Sequence, residues 1–237
     1  METHLSKSEQ IQLFKKEFSQ EHELINRIRE KNLTYCGYPK LENICRAIKY
    51  IQKKQVHGLY LEAGCALGGS AILIAHMKPN SVPLHIFDVF GMIPPPSEWD
   101  GIDAHNRYAE ISSGKSQGLG GNEYYGYIHN LKDIVINNIE SFGFNLESDN
   151  IQLIRGLFQE TLNVKDVVAF AHIDCDWYDS VKICIDRITP RMSLNSVIVF
   201  DDYSSYSGCK KAVDELIDLG NFEILFCQRS IVLTKVR

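Results

Sequence analysis

Hydrophobic residues recur with two different periods along the chain, and the change falls close to residue 57. Before it, apolar positions are spaced by three, four or seven residues, with charged residues between them. These positions include Ile11, Phe14, Phe18, Ile25 and Ile28. The spacing predicts one or two amphipathic helices, followed by a further helix over 40–54. We therefore expect an N-terminal helical cap over 1–56, packed on the rest of the domain or on a second subunit.

From residue 57 onward, short apolar segments alternate with segments of helical period. The predicted strands are 58–62, 84–87, 151–154, 167–173, 196–200, 222–226 and 231–235. The predicted helices between them are 71–76, 130–142, 179–188 and 208–219. Strands joined by helical crossovers lie parallel, whereas the last two strands form a hairpin. The pattern predicts an α/β domain over 57–237, with a doubly wound, mostly parallel sheet of seven strands and an antiparallel edge at its C-terminal end.

The segment from about 91 to 130 interrupts this alternation. It contains three consecutive prolines, several glycines and the tyrosines at 124, 125 and 127. An insertion of this length inside a compact domain usually has a functional role. We expect it to form a lid or a wall of the substrate pocket.

A glycine turn follows the first strand, at the end where an open α/β sheet binds its ligand. Glu62 opens the turn, and Gly64, Ala66, Gly68 and Ser70 lie along it. A dinucleotide site needs a glycine at the position of Ala66, so the turn disfavours a pyrophosphate ligand. A carboxylate at its start suits a ligand that carries an ammonium group. A tight turn without any ligand is the alternative.

The next two strands also end in residues that suit a ligand site. Asp88 ends the second strand, where adenosine-binding folds place an acid that binds the ribose hydroxyls. Gly156 follows the third strand. Both are expected to line the same edge as the glycine turn.

Three aspartates follow the fourth and fifth strands: Asp174, Asp201 and Asp202. Crowded carboxylates repel each other unless a cation lies between them, and hard oxygen ligands suit Mg²⁺ or Ca²⁺. Neighbouring residues of an extended strand point to opposite faces, so Asp201 and Asp202 can share an ion only if the strand has already turned. Surface acids and helix caps are the alternative.

Composition narrows the possible partners and location. The net charge is −5 at pH 7, and the chain has no basic stripe with interleaved aromatic residues, which disfavours nucleic acid. The seven cysteines are odd in number and have no C-x-x-C spacing, which favours reduced thiols and a cytoplasmic location. No apolar run approaches the roughly 20 residues that cross a bilayer, so we expect no membrane partner.

Other classes of protein share parts of the pattern. Asp174-Cys175-Asp176 after an apolar strand is also typical of metal-dependent glycosyltransferases. A nicotinamide oxidoreductase shares the fold but needs the missing glycine. A P-loop at Gly114-Lys115-Ser116 is disfavoured, because Ala109 stands where its first glycine belongs. A non-catalytic interaction module would need none of the strand-end residues.

Four stretches resemble the macrocin-type (TylF-like) family of sugar O-methyltransferases. They are LYLEAGCALGGSAILIA (59–75), IFDVFGMIPPP (86–96), AHIDCDWYDS (171–180) and VIVFDDYSSYSGCKKAVDEL (197–216). A fifth stretch, GKSQGLGGNEYYGY (114–127), resembles the lid segment of one branch of that family. The resemblance implies a class I methyltransferase fold with a Rossmann-like sheet, S-adenosylmethionine as cofactor, and Mg²⁺-dependent methyl transfer to a sugar hydroxyl.

The resemblance also implies roles for individual residues. The implied metal ligands are Asp174, Asp201 and Asp202. The expected cofactor-binding residues are Glu62, Gly64, Ala66, Gly68, Ser70, Asp88, Gly156 and Asp174. No counterpart of the family's catalytic histidine is evident, and we expect Asp174 to act as the general base. His129 and His172 lie near the same edge and stay open as candidates.

We therefore expect an S-adenosylmethionine- and Mg²⁺-dependent O-methyltransferase. Its acceptor would be a hydroxyl of a sugar, a glycosylated natural product or a polysaccharide precursor. A metal-dependent glycosyltransferase, or a methyltransferase that acts without metal on a carboxyl or phenol, is the alternative. The expected partners are this small acceptor and, in a homodimer, a second copy of the chain.

Overall fold

The structure is a computed structural model that describes residues 7–237, so residues 1–6 of the predicted cap lie outside it. The N-terminal segment forms α1 (Lys7–Glu17), α2 (Ser19–Glu30) and α3 (Tyr38–Lys53). Four of its periodic apolar residues are buried: Phe14, Phe18, Ile25 and Ile28. They share one hydrophobic cluster with the sheet residues Tyr60 and Phe170, so these helices pack directly on the domain.

Strands and helices alternate through the rest of the chain. The strands are β1 (Leu59–Ala63), β2 (Leu84–Asp88), β3 (Ile151–Arg155), β4 (Val168–Ile173), β5 (Met192–Phe200), β6 (Phe222–Gln228) and β7 (Ser230–Lys235). The remaining α-helices are α4 (Gly69–Met77), α5 (Ile102–Ser112), α6 (Leu131–Ser141), α7 (Phe158–Thr161), α8 (Tyr178–Ile188) and α9 (Ser207–Asp218). Among the described residues, no helix is both long enough and apolar enough to cross a bilayer.

The sheet has the order β3-β2-β1-β4-β5-β7-β6. Strands β1 to β5 pair in parallel, and β7 pairs antiparallel with both β5 and β6. This confirms the predicted seven-stranded sheet with an antiparallel C-terminal edge. The strand order reverses between β1 and β4, which makes that pair the switch point of the sheet.

Helices cover both faces of the sheet. One hydrophobic cluster joins α1–α4 and α6 to one face, where Tyr60 and Val199 lie. A second cluster joins α8 and α9 to the other face, where Leu61 and Ile198 lie. Because both faces are buried, the central strands are almost wholly apolar, as expected for parallel strands. Glu62 in β1 and His172 in β4 interrupt that apolar character, and both belong to the site described below.

Three elements differ clearly from the predicted pattern. Helix α5 lies inside the segment 91–130, and its hydrophobic signal is weak because only Ala104 and Ile111 among its residues are buried. The four-residue helix α7 is not among the predicted helices either, and none of its residues is buried. Strand β5 begins at Met192, whereas the predicted strand begins at 196. Its first residues are missed because they include the exposed Leu194 and alternate poorly with the core. All three errors arise where an element, or its first part, lies at the surface of the domain.

Candidate active site

A cavity of about 250 Å³ opens at the carboxyl ends of β1, β2, β4 and β5. Its wall combines the turn after β1, the acids at the ends of the other strands and part of the segment 91–130. The N-terminal helical region contributes Tyr35, Cys36 and Lys40. The cavity therefore lies beside the switch point, where open α/β sheets bind their ligands.

Gly64 brings the ends of β1 and β4 closer than a residue with a side chain allows. Its φ is +86°, and a Cβ at this position would lie 1.9 Å from the carbonyl oxygen of Asp174. The Gly64 N–H donates to the carbonyl of Phe87 at 2.8 Å, and the Asp174 N–H donates to the carbonyl of Ala63 at 2.9 Å. Glycine is therefore required here both for its backbone conformation and for this close approach.

Asp88 holds the glycine turn from the neighbouring strand. Its carboxylate accepts hydrogen bonds from the backbone N–H groups of Cys65 at 2.8 Å, Ala66 at 3.3 Å and Phe90 at 2.7 Å. Burial raises the pKa of Asp88, and these donors offset part of that rise. Asp88 also lines the cavity, so it both shapes the turn and forms part of the cavity wall.

Glu62 lies beneath the cavity rather than in its wall. It is fully buried, and its Oε1 lies 2.9 Å from Nδ1 of His172. The Nε2 of His172 lies 3.8 Å from Oδ1 of Asp201, which is an ion-pair distance and too long for a hydrogen bond. Burial lowers the pKa of His172, but the Asp201 and Glu62 carboxylates outweigh it and raise that pKa to about 9. His172 is therefore charged at neutral pH and joins two buried acids.

The three predicted metal ligands meet at one end of the cavity. Asp174, Asp201 and Asp202 all line it, and the last two are buried. Strand β5 ends at Phe200, and the chain turns over 201–205. Asp201 and Asp202 can therefore both contact the ammonium of Lys40, with Nζ 2.5 Å from Oδ2 of Asp201 and 3.3 Å from Oδ1 of Asp202.

Cys36 completes the surroundings of the aspartates. Its Sγ lies 3.4 Å from Oδ2 of Asp174. One ligand atom from each of Cys36, Asp174 and Asp201 can be chosen so that all three lie within 4.8 Å of one another. Burial raises the pKa of the Cys36 thiol well above its usual value, and the Asp201 and Asp174 charges add to this, so the thiol stays protonated at neutral pH.

The aspartates differ in pKa because their surroundings differ. Burial raises the pKa of Asp174 well above its usual value, and the charges of Asp201 and Asp202 raise it further. Burial also acts on Asp201, but His172 and Lys40 more than offset it, so the pKa of Asp201 lies below its usual value. Two cations thus hold Asp201 ionised, whereas Lys40 offsets the burial of Asp174 only in part.

The acids at this site fit a divalent cation. Oδ1 of Asp201 and Oδ2 of Asp202 are buried and have no hydrogen-bond partner within the described part of the chain. Buried carboxylate oxygens without partners are costly unless a cation or water binds them. Their chemistry is that of the hard oxygen ligands that Mg²⁺ and Ca²⁺ prefer, and the nearby thiol would also suit a transition metal.

The segment 91–130 and the start of α8 form the aromatic part of the wall. Tyr124, Tyr125 and Trp177 line the cavity together with Arg107. The indole N–H of Trp177 donates to the carbonyl of Pro94 at 2.8 Å, which fixes the ring against the segment. The guanidinium of Arg107 lies 5.4 Å from the ring centroid of Tyr124. This wall offers flat apolar surface and one cation to a molecule held beside the acids.

The structure brings together most, though not all, of the predicted site residues. Those that line the cavity are Gly64, Ala66, Asp88, Asp174, Asp201 and Asp202. Those that the structure describes away from its wall are Glu62, Gly68, Ser70 and Gly156. Gly68 and Ser70 shape the start of α4, and Gly156, with φ +145°, turns the chain so that 157–159 reach the cavity. The ligand roles given to all these residues stay predictions.

Sequence reasoning missed the residues that reach the site from the N-terminal region. Lys40 and Cys36 lie far from the aspartates in sequence, and no local pattern shows where α3 packs on the sheet. His172 stayed an open candidate, although a signal for its position exists. Parallel pairing of β1 with β4 places His172 opposite Glu62 in the register.

The fold and the position of this cavity define a class I methyltransferase. The solved structure of the O-methyltransferase NovP shares this fold, with a TM-score of 0.70 and 22% identity, covering 86% of this chain and 83% of that one. The family model for macrocin-O-methyltransferase (TylF) matches residues 3–223. The chain belongs to this family, whose members are S-adenosylmethionine-dependent O-methyltransferases. The family resemblance found in the sequence is thus confirmed.

Two relatives are similar in sequence at 25% identity. One is the demethyldecarbamoylnovobiocin O-methyltransferase of Streptomyces niveus. The other is the 8-demethyl-8-(2,3-dimethoxy-alpha-L-rhamnosyl)-tetracenomycin-C 4'-O-methyltransferase of Streptomyces olivaceus. Each alignment covers 77% of this chain, and the chain spans 66% of the length of each relative.

Replacing Gly64 tests the close approach of β1 and β4. Gly64→Ala places a methyl group against the Asp174 carbonyl at a positive φ, so we expect the free energy of unfolding to fall by about 2–4 kcal/mol. Gly91→Ala is the matched control, because Gly91 also lines the cavity and a Cβ there has no neighbour within 4 Å. Urea denaturation measures both variants. Equal stability of the two would contradict the constraint at Gly64.

Replacing His172 tests its role as the cation between two buried acids. His172→Phe keeps a ring but leaves Glu62 unpaired and Asp201 with Lys40 as its remaining cation, so we expect a loss of about 3–5 kcal/mol of stability. Adding Glu62→Gln removes the orphaned charge and should recover about 1 kcal/mol or more. Urea denaturation of both single variants and the double variant gives the coupling. Strictly additive losses would show that Glu62 and His172 act independently.

Proposed function

We propose that this chain transfers the methyl group of S-adenosylmethionine to a hydroxyl of a sugar, a glycosylated natural product or a polysaccharide precursor, with the help of a divalent cation, Mg²⁺ by preference. The observation that carries the proposal is a single cavity that joins a glycine turn to three strand-end aspartates. The family supports the methyl transfer. The two Streptomyces relatives, named for novobiocin and rhamnosyl-tetracenomycin acceptors, support a glycosylated acceptor.

The turn after β1 and the neighbouring strand ends form the half of the cavity that suits the methyl donor. Gly64 and Ala66 present backbone to the cavity, and Asp88 faces it from β2. A carboxylate at this strand end suits ribose hydroxyls. Residues 157–159 close the same side. Methyl transfer is an in-line displacement, so the main task of these groups is to align donor and acceptor.

The aspartates form the half that suits the acceptor hydroxyl. Asp174, Asp201 and Asp202 would hold the cation, and Cys36 lies beside them. When bound, the cation supplies Lewis acidity, which lowers the pKa of a coordinated hydroxyl. His172 helps to keep Asp201 ionised from behind. The aromatic wall excludes water and offers stacking surface to a sugar or its aglycone.

Asp174 is the group that we propose as proton acceptor. In the metal-free protein, burial and the neighbouring carboxylates raise its pKa, and a raised pKa makes a carboxylate a better base near neutral pH. Asp201 is a poorer candidate, because His172 and Lys40 lower its pKa. The proposed general base is therefore Asp174, which lines the cavity at the end of β4.

A methyltransferase that needs no metal is the second candidate. The observation that favours it is Lys40, whose ammonium already contacts Asp201 and Asp202. In that case the aspartates would bind acceptor hydroxyls directly. The two candidates differ in what a chelator does to turnover.

Removing the metal or one of its ligands tests the proposed reaction. We expect EDTA to abolish methyl transfer to hydroxylated acceptors, scored by the mass gain of one methyl group, and added Mg²⁺ to restore it. Asp202→Asn should lower kcat by at least about a hundredfold, since a cation supplies several kcal/mol at the transition state. S-adenosylhomocysteine, titrated by calorimetry, should bind the variant as it binds the parent protein.

Asp202 is preferred to Asp201 for this test, because Asp201 also faces His172. Asp186→Asn is the matched control, since Asp186 is an exposed residue of α8 with a side chain 62% accessible. Full turnover in the chelator would remove the metal from the proposal and favour the second candidate. Failure to bind S-adenosylhomocysteine would contradict the methyltransferase proposal itself.

A further inference from the structure

Lys40 contacts two of the three aspartates that are proposed to bind the cation. Its Nζ lies 2.5 Å from Oδ2 of Asp201 and 3.3 Å from Oδ1 of Asp202. The lysine side chain is 17% exposed, and those of the two acids are 3% and 8% exposed. The ion pairs are therefore largely shielded from water, which makes them much stronger than pairs on the surface.

The backbone that carries Lys40 is held firmly against the sheet. Lys40 lies in the first turn of α3, and Leu41 beside it is fully buried. One turn further on, the side-chain amide of Asn43 donates to Oγ of Ser230 at 2.7 Å and to the carbonyl of Gln228 at 2.9 Å. The position of the Lys40 backbone is thus fixed by the fold. The four-carbon stem of lysine still allows the ammonium to move while the helix stays in place.

An ammonium and a divalent cation would share the same two carboxylates. Lys40 contacts Oδ2 of Asp201 and Oδ1 of Asp202, whereas the other oxygen of each acid has no hydrogen-bond partner among the described residues. Oxygen ligands of Mg²⁺ lie at about 2.0–2.1 Å from the ion, so a lysine within hydrogen-bond distance of the same carboxylates would be a close like charge. Two positive charges at such a separation repel strongly in a site that water does not screen. Lys40 and the cation therefore disfavour each other.

We propose that Lys40 is an internal counter-ion that competes with the divalent cation for Asp201 and Asp202 and so sets the metal affinity of the site. This inference rests on the proposed function, since it takes these aspartates as the metal ligands. In the metal-free protein Lys40 keeps the two acids paired. When the cation binds, it replaces the ammonium as their partner.

The direction in which metal affinity changes when Lys40 is replaced distinguishes a competitor from a residue that supports the metal ligands. A residue that supports metal ligands from behind usually strengthens binding, and its loss lowers metal affinity about 10–100-fold. A competitor does the opposite, so its loss raises the affinity. Removing a like charge this close to the site should tighten binding by about tenfold or more.

The experiment measures Mn²⁺ binding by electron paramagnetic resonance, which counts the free ion and needs no turnover. The samples are the parent protein, Lys40→Met and the control Lys49→Met. Lys49 lies on the same helix and makes an ion pair with Glu17 at 3.0 Å, but its side chain is 49% exposed. Both substitutions remove one positive charge from α3. We expect Lys40→Met to bind Mn²⁺ about tenfold or more tightly than the parent, and Lys49→Met to bind it like the parent.

Thermal unfolding supplies a second readout. Without metal, Lys40→Met should melt below the parent, because Asp201 and Asp202 lose their partner. Mn²⁺ should raise the melting temperature of Lys40→Met more than that of the parent, since a ligand stabilises in proportion to the tightness of its binding. Lys40→Gln, which retains the length and polarity of the side chain, is measured if Lys40→Met fails to fold, and the same changes are expected of it.

Each outcome bears on the role of Lys40. Equal or weaker Mn²⁺ binding by the Lys40 variants would overturn the proposal, as would no Mn²⁺ binding by any sample. Binding that appears only when Lys40 is replaced would support it. S-adenosylhomocysteine titrated into the same samples reports on the methyltransferase proposal separately. Failure there, with the expected Mn²⁺ result, would leave the counter-ion role standing.

Discussion

A line of alternating charges runs from beneath the cavity into its wall, and the arrangement of the site depends on it. Glu62 faces His172, His172 faces Asp201, and Lys40 bridges Asp201 and Asp202. These residues come from β1, β4, the end of β5 and α3, so the network joins the centre of the sheet to the N-terminal helices. Buried carboxylates are stable only when they are paired. The positions of the strand ends and of α3 are thus linked by charge as well as by packing.

The close contact between the strands at Gly64 supports this charge network. It lets β1 and β4 end side by side, which places Glu62 opposite His172 and leaves Asp174 at the cavity. A wider separation of the strands would lengthen the Glu62–His172 pair and open the turn that Asp88 holds. Glycine at this position therefore serves the electrostatics of the site through the backbone, without contacting any of the charged groups itself.

The sequence predicted the strand ends better than it predicted what packs over them. Parallel strands must end at a common edge, so Asp88, Asp174 and Asp201 could be placed together from the alternation of strands and helices alone. The partners of these acids could not be placed in this way. Lys40 looks like one more surface lysine on an amphipathic helix, and its role depends on how α3 packs across β5. Helix α5 was missed for a related reason, since an exposed helix carries little hydrophobic period.

The distribution of cations explains why the acids at one edge need not share one role. Asp201 lies between His172 and Lys40, and both cations hold it in the ionised form. Asp174 is only partly buried, and its near neighbours include the thiol of Cys36 and further carboxylates. Environments that push the pKa values of neighbouring carboxyls apart commonly assign one to a structural or binding role and the other to proton transfer. On this argument the proposed base is Asp174, because nearby cations offset its burial less than they offset that of Asp201, and its protonation therefore responds to what enters the cavity.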